Sequence, residues 1–312
     1  MRTKKAEKIM LIAAVVLVIA GAVLSVTAAS AAGFDMSVLS DEYSDVEYKI
    51  NDVVTGIDID AVDENVRFHI AEGNEMLVVC SERSGITHDV SMDNGVLKIK
   101  RVDNRKWYEQ LTVMDFGAFV GYRGITVYLP PCALEQIKIE TVSGDVVLPD
   151  IITVGDISVT TTSGDISADF IYCEKDAMLK STSGNLRFKG RADSLSLHST
   201  SGDVSVSTAD VRHLLSIKTV SGDIFVVGVN MDDFYDSRFD ISATSGDVTI
   251  FSSNATNITI KTVSGDVTCT QMHPMDYEVS TVSGSVDVPS PVGINSCRIQ
   301  TTSGDVKVTV AE

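Results

Sequence analysis

Thr141-Val142-Ser143-Gly144-Asp145-Val146 returns, with small changes, to the end of the chain. Aligned on the glycine, the copies fall at Gly144, Gly164, Gly184, Gly202, Gly222, Gly246, Gly265, Gly284 and Gly304. The intervals between them are 20, 20, 18, 20, 24, 19, 19 and 20 residues. A fixed period of this length predicts a repeat architecture, in which each unit buries its apolar face only by stacking on the next.

Both flanks of the turn alternate. Before it, Ile137 and Ile139, Leu195 and Leu197, and Ile258 and Ile260 are apolar, with polar residues between them. After it, Val146 and Leu148, Val204 and Val206, and Val306 and Val308 continue the pattern. Period two on both arms predicts two strands per unit, each with one face inward. Two short strands and two turns make one coil of a parallel β-solenoid, right-handed by the general preference for parallel crossovers. An antiparallel hairpin array is the competing geometry, but it does not explain why one turn is kept while the other varies.

In a solenoid the kept turn becomes a column of identical corners. Its glycine serves a positive φ or a close backbone approach, and its serine and aspartate bond the turn backbone. The acids Asp145, Asp165, Asp203, Asp223, Asp247, Asp266 and Asp305 form a column interrupted by Asn185 and Ser285. Carboxylates about 4.8 Å apart repel by about 1 kcal/mol in water. A row of calcium ions is one way to offset this, since carboxylates and turn carbonyls are hard oxygen ligands. The favoured reading is turn formation in water, because calcium-binding nonapeptide repeats carry denser glycine than one per coil. The longest interval holds an insertion, Val229 to Asp236, with Phe234 and Tyr235 as candidate contact residues.

The 312 residues carry 43 Asp and Glu against 25 Lys and Arg, a formal charge of -18. Such a surface repels nucleic acid and anionic head groups, so a soluble partner chosen by charge is expected to be cationic. Cys80, Cys132, Cys173, Cys269 and Cys297 are odd in number and widely spaced, and read as small core hydrophobes. A serine present in nine equivalent copies is not a unique nucleophile, and the five histidines are scattered. No enzyme, cofactor or metal is therefore expected beyond the alternative calcium row.

Residues 1–8 are a basic flank and 9–32 an uncharged apolar run, long enough to cross about 30 Å of hydrocarbon. The basic flank predicts a cytoplasmic N-terminus and an extracytoplasmic remainder. A cleaved signal peptide, which would release a secreted protein, is the alternative. A linker over 33–45 leads to an atypical β segment at 46–134, ahead of the nine-copy solenoid at 135–312. In the β segment, Ala61-Val62-Asp63-Glu64-Asn65-Val66 reads as a worn copy of the repeat. Trp107, Tyr108, Phe116, Phe119 and Tyr122 read as rings folded over the open end of the core, or else as a contact surface. Val306-Lys307-Val308-Thr309-Val310 is expected to leave an open edge through which copies self-associate.

The Thr-Val-Ser-Gly-Asp-Val copies, with Ile125-Thr126-Val127-Tyr128-Leu129-Pro130 upstream, resemble the bacterial putative adhesin family of β-strand-repeat envelope proteins over residues 46–312. The resemblance implies an exported β-solenoid, often tethered by an N-terminal transmembrane helix, with links to adhesion and envelope stress. It supplies no catalytic or binding residues, and Asn185 and Ser285 depart from its pattern. The expected function is a membrane-tethered, extracytoplasmic binding or structural module with a protein, peptide or glycan partner. A sensor of cationic antimicrobial peptides and a glycan-active β-helix enzyme are the alternatives.

Overall fold

The computed structural model describes residues 43–106, 124–150, 152–231, 237–290 and 294–311. The apolar run 9–32 and the residues Trp107, Tyr108, Phe116, Phe119, Tyr122, Phe234 and Tyr235 lie outside the described residues. Among the described residues all regular elements are strands, and no helix is long and apolar enough to cross a membrane.

The chain divides into two compact units. The first comprises Met1–Ser44, Arg83–Thr87 and Asp103–Gly121. Its described part is a tight turn closed by reciprocal backbone bonds between Arg83 and Ile86, with Gly85 at φ 77°. The Arg83 guanidinium lies 5.0 Å from the centre of the Tyr43 ring.

The second unit comprises Asp45–Glu82, His88–Val102 and Tyr122–Glu312 and is a parallel β-solenoid. Strands preceding the corner pair in register, so Ile57, Ile137, Ile157, Ala177, Leu195, Leu215, Phe239, Ile258, Cys297 and Tyr277 form one inward column. The period-two pattern therefore acts in two directions: it points alternate residues inward along a strand and stacks like on like between coils. Where a column takes an aromatic ring, its neighbours are smaller. Phe188 is fully buried between Ala168 and Val206, the smaller neighbours leaving room for its ring.

The alternation predicted two strands per coil, and the structure adds a third short one. Residues 190–192, 209–211 and 229–231 pair in parallel on a further face, continued by 171–172. The bend leading into it is made by residues in the left-handed region, among them Phe170 at φ 54° and Thr208 at 49°. A bulky non-glycine residue there is uncommon and gives no sequence signal for the extra face.

Stack order departs from chain order at both ends. Ser296–Gln300 lies between Asn257–Lys261 and Asp276–Ser280, and Val306–Val310 lies between Val267–Gln271 and Val286–Asp287. At the other end, Gly56–Asp60 lies between residues 96–100 and 136–140, and Asn65–Ile70 between Gly124–Leu129 and Val146–Val147. Each terminal coil is thus slipped inside its neighbour. Val306–Val310 is paired along its whole length with Val267–Gln271, and on its other side only at Val306 and Lys307. The outermost strands at this end are the five-residue Asp276–Ser280 and the two-residue Val286–Asp287. At the opposite end Met76–Glu82 pairs antiparallel with Gly124–Leu129, closing the ladder.

Cys80, Cys173, Cys269 and Cys297 are buried, as expected of core cysteines, and Cys132 is half-buried. Burial pushes the Cys269 thiol up to about 12 and the Cys173 thiol to about 11. These groups stay protonated and inert in the folded chain.

Candidate functional site

The nine corners come together as a single column, and their chemistry is directed at one another. At Gly164 a β-carbon would stand 1.9 Å from the carbonyl oxygen of Gly144, so only glycine lets the two coils touch. The Thr162 and Ser163 amides both donate to the Val142 carbonyl of the coil below, at 3.1 and 2.9 Å. In these coils a buried hydroxyl caps the turn: the Gly164 amide donates to Thr161 Oγ1 at 3.0 Å, and the Gly184 amide to Ser181 Oγ at 2.7 Å.

The aspartates form a ladder. The amide of Asp165 donates to Asp145 Oδ1 at 2.9 Å, that of Asn185 to Asp165 Oδ1 at 2.7 Å, and that of Asp203 to Asn185 Oδ1 at 2.9 Å. Asp223, Asp247, Asp266 and Asp305 continue it, each amide bonding the carboxyl of the coil beneath. It begins at Asn65, whose Oδ1 accepts the Asp145 amide, and ends where the Ser285 amide donates to Asp305 Oδ1 at 2.7 Å. Both departures from the acid pattern now have a place. Asn185 keeps the accepting oxygen without the charge, and Ser285 stands on the outermost coil, where no further amide needs an acceptor.

The aspartates are exposed, and bonding by backbone amides offsets the repulsion between them. Among the described residues no group of three or more His, Cys, Asp and Glu side chains is arranged to hold a metal ion. Backbone and hydroxyl bonds from Ser285 hold the Asp305 carboxyl below the usual aspartate range. Its contribution to stability is present above the ordinary aspartate pKa and is lost as the pH falls through the lower folded value. Substituting Asp165 separates the ladder from the charge. Asp165→Asn is expected to leave stability within about 0.5 kcal/mol, whereas Asp165→Ala strands the Asn185 amide and costs about 1 kcal/mol in urea unfolding.

The turn changes character above Gly222. Ala243 stands where other coils have Thr or Ser, so no hydroxyl can cap Gly246. The Gly246 amide donates instead to the Ser264 carbonyl of the next coil at 3.1 Å, with φ at 154°. Gly265 and Gly304 adopt the same form, and the Thr262 and Thr301 hydroxyls are left buried without a partner.

The worn copy at Ala61–Val66 is a true corner with one decisive exchange. Glu64 occupies the glycine position and Asn65 the aspartate position. Its amides are received within the corner itself. Glu64 Oε2 takes that part, accepting the Val62 and Asp63 amides at 2.9 and 3.2 Å, just as the Val62 carbonyl accepts those of Val142 and Ser143. Its other oxygen faces Arg101 Nε at 3.3 Å and His88 Nε2 at 3.9 Å, all three side chains being almost fully buried. Arg101 also binds Asp63, and Glu82 holds the His88 amide and the Tyr48 hydroxyl at 2.8 Å each. Burial and Glu82 raise the Tyr48 phenol well above its ordinary pKa. Sequence reasoning passed over this cluster, although a glutamate at a glycine position was its visible signal.

The outward faces differ from coil to coil. Phe225 and Phe251, on adjacent coils, meet edge to face with centroids 6.1 Å apart, and both are exposed. Phe170 is exposed under the Lys189 ammonium, 5.7 Å from its ring centre. A shallow depression of about 330 Å³ is lined by Thr153, Tyr172, Glu174, Arg191, Asp193 and Arg212, where Asp193 binds both Arg212 and His213.

The comparisons with known proteins agree with this architecture. A solved protein from Parabacteroides distasonis, described as a putative lipid binding protein, is similar at 13% identity with a TM-score of 0.50, covering 87% of this chain and 97% of its own. A putative adhesin from Bacteroides fragilis is 14% identical with a TM-score of 0.41, covering 85% and 97%. Another, from Parabacteroides merdae, is 12% identical with a TM-score of 0.35, covering 85% and 97%. No curated protein matches the sequence. The family model matches residues 54–233 and 228–312, and the chain belongs to the Toastrack DUF4097 family.

Proposed function

We propose that the chain is a non-catalytic binding module at the cell surface, tethered by residues 9–32, whose acidic corner receives cationic partners. The supporting observation is the ladder itself. Seven aspartates face solvent in a column about 4.8 Å per step, each fixed through one carboxyl oxygen to the next coil. A preorganised row of charge needs no reordering to meet a basic segment, and this favours association. The same bonding commits the repeated serines, threonines and acids to architecture, so specificity falls to what varies between coils. The putative adhesins among its structural relatives fit such a role without defining a ligand.

The test is titration of the full chain in detergent with a lysine-rich peptide and a neutral one of equal length at low salt. The basic peptide is expected to bind at least about tenfold more tightly, and the preference to fade as salt shortens the Debye length from about 30 Å to about 10 Å. Replacing Asp203, Asp223 and Asp247 with Asn keeps the ladder and should abolish the preference. Equal binding of the two peptides would sink the proposal.

A further inference from the structure

The outer face of the strands that precede the corner carries an uncompensated basic row on this acidic protein. In register across successive coils stand Lys180, His198, Lys218, Ser242 and Lys261. Other described cations are largely taken by acids: Lys138 by Glu140, Lys175 by Asp156, Arg238 by Asp240 and Arg298 by Glu278. Lys180, Lys218 and Lys261 are exposed, and among the described residues no acid pairs with them. The acid beside the row on this face, Asp240, stands two residues before Ser242 and is held by Arg238 at 3.1 Å, and Asp176 is about 13 Å from Lys180 along the strand. His198 has its pKa lowered by desolvation and by Lys218 and Lys180 on either side of it.

A second observation points the same way. The acid column loses its charge at Asn185, in the coil that carries Lys180 and, just beyond the corner, the exposed Arg187. The ladder does not require this, because Asn185 Oδ1 accepts the Asp203 amide at the same 2.9 Å found between Asp203 and Asp223. Replacing an acid by an amide here changes the field and leaves the scaffold as it was.

We propose that this row binds a linear acidic polysaccharide carrying one anionic group on every second sugar. The three lysines recur at every second coil, about 9.6 Å apart at two strand spacings. An extended peptide presents same-side side chains about 6.8 Å apart, out of step with the lysines, whereas the rise of an extended disaccharide is comparable to two coils. Ser196 and Ser216, beside the row, are small enough to let a flat sugar chain lie against the sheet, and the half-buried Ser196 can offer it a hydroxyl. His198, between two anchored anions, is placed to donate to the intervening sugar. The site is separate from the acidic corner, and neither reading depends on the other.

The experiment titrates the full chain in detergent, at about 50 mM salt to limit screening, with hyaluronate oligosaccharides, polyglutamate of similar length, and dextran. Hyaluronate, with a carboxylate on alternate sugars, is expected to bind and dextran not to. The K180Q/K218Q/K261Q variant, altered only at exposed side chains, should keep its melting temperature and lose at least about tenfold in affinity. N185D should weaken binding about threefold with no change in melting. The His198 imidazole should titrate at higher pH when hyaluronate is bound, read by NMR. Absence of hyaluronate binding, indifference to the triple substitution, or equal binding of polyglutamate would each overturn the proposal. The Asp203, Asp223 and Asp247 to Asn variant serves as the control, since it should not weaken hyaluronate binding even where it abolishes binding of a basic peptide.

Discussion

Gly164→Ala is expected to destabilise the solenoid by more than about 3 kcal/mol, while Gly73→Ala stays within about 0.5 kcal/mol of the parent. The difference is one of space. At Gly73 an added β-carbon meets nothing within 4 Å, whereas at Gly164 it meets the Gly144 carbonyl oxygen at 1.9 Å and its carbon at 2.6 Å. The obstacle is backbone, which cannot rotate aside as a side chain does. Relief requires the two coils to part at the corner, and parting them stretches the amide bonds from Thr162 and Ser163 to Val142 and the rung between Asp165 and Asp145. Each lost backbone bond in a closed corner costs about 1 kcal/mol or more, so several together reach the stated size. Urea unfolding followed by circular dichroism reads the effect. A Gly164→Ala chain as stable as the parent would mean that the coils do not touch there.

The second large effect is expected at the end cap. Arg101→Met should cost about 3 to 5 kcal/mol, because it leaves the buried Glu64 carboxylate without its cation. The Arg101 side chain is 8% exposed and that of Glu64 5%, so water cannot substitute for the lost partner. Glu64→Ala should cost a similar amount by a different route, removing the acceptor of the Val62 and Asp63 amides and the carboxylate that faces both Arg101 and His88. The double variant is expected to be less damaged than the sum, by 1 kcal/mol or more, since the second change then removes a charge already stranded. Additive losses in a double-mutant cycle would show that the two side chains do not act as a pair.

The two predictions divide along a line that runs through the whole molecule. Gly164 belongs to the repeated corner, where one sequence signal recurs in nine copies and its meaning can be inferred from recurrence alone. Glu64 occurs once, in the corner of the coil that lies against residues 96–100 and Gly124–Leu129. Its role follows from the buried Arg101 and His88 brought against it, and a linear sequence does not say which side chains meet. The same reasoning explains the aspartates. Ligand row and hydrogen-bonded ladder demand the same residue at the same spacing, so the sequence could not separate them. Asn185 and Ser285, which looked like defects in the column, mark a rung without charge and the top of the ladder. The basic row was hidden for a related reason: Lys180, Lys218 and Lys261 are unremarkable in a strand pattern until register places them in line.

By itself the sequence determined the all-β class, the coil length, the corner and the inward columns. These are local properties, since a period of two fixes which side chains face inward and a recurring glycine fixes where the chain bends. Only the tertiary structure decided the order of the coils, the third face and the identity of the exposed ends. Equivalent strands such as Val267–Gln271, Val286–Asp287 and Val306–Val310 carry interchangeable patterns, so pairing between them is nearly degenerate in local terms. What breaks the degeneracy is closure of the stack: a well-paired five-residue strand moves inside, and the shortest strand, lacking an acid to offer a further coil, is left at the edge.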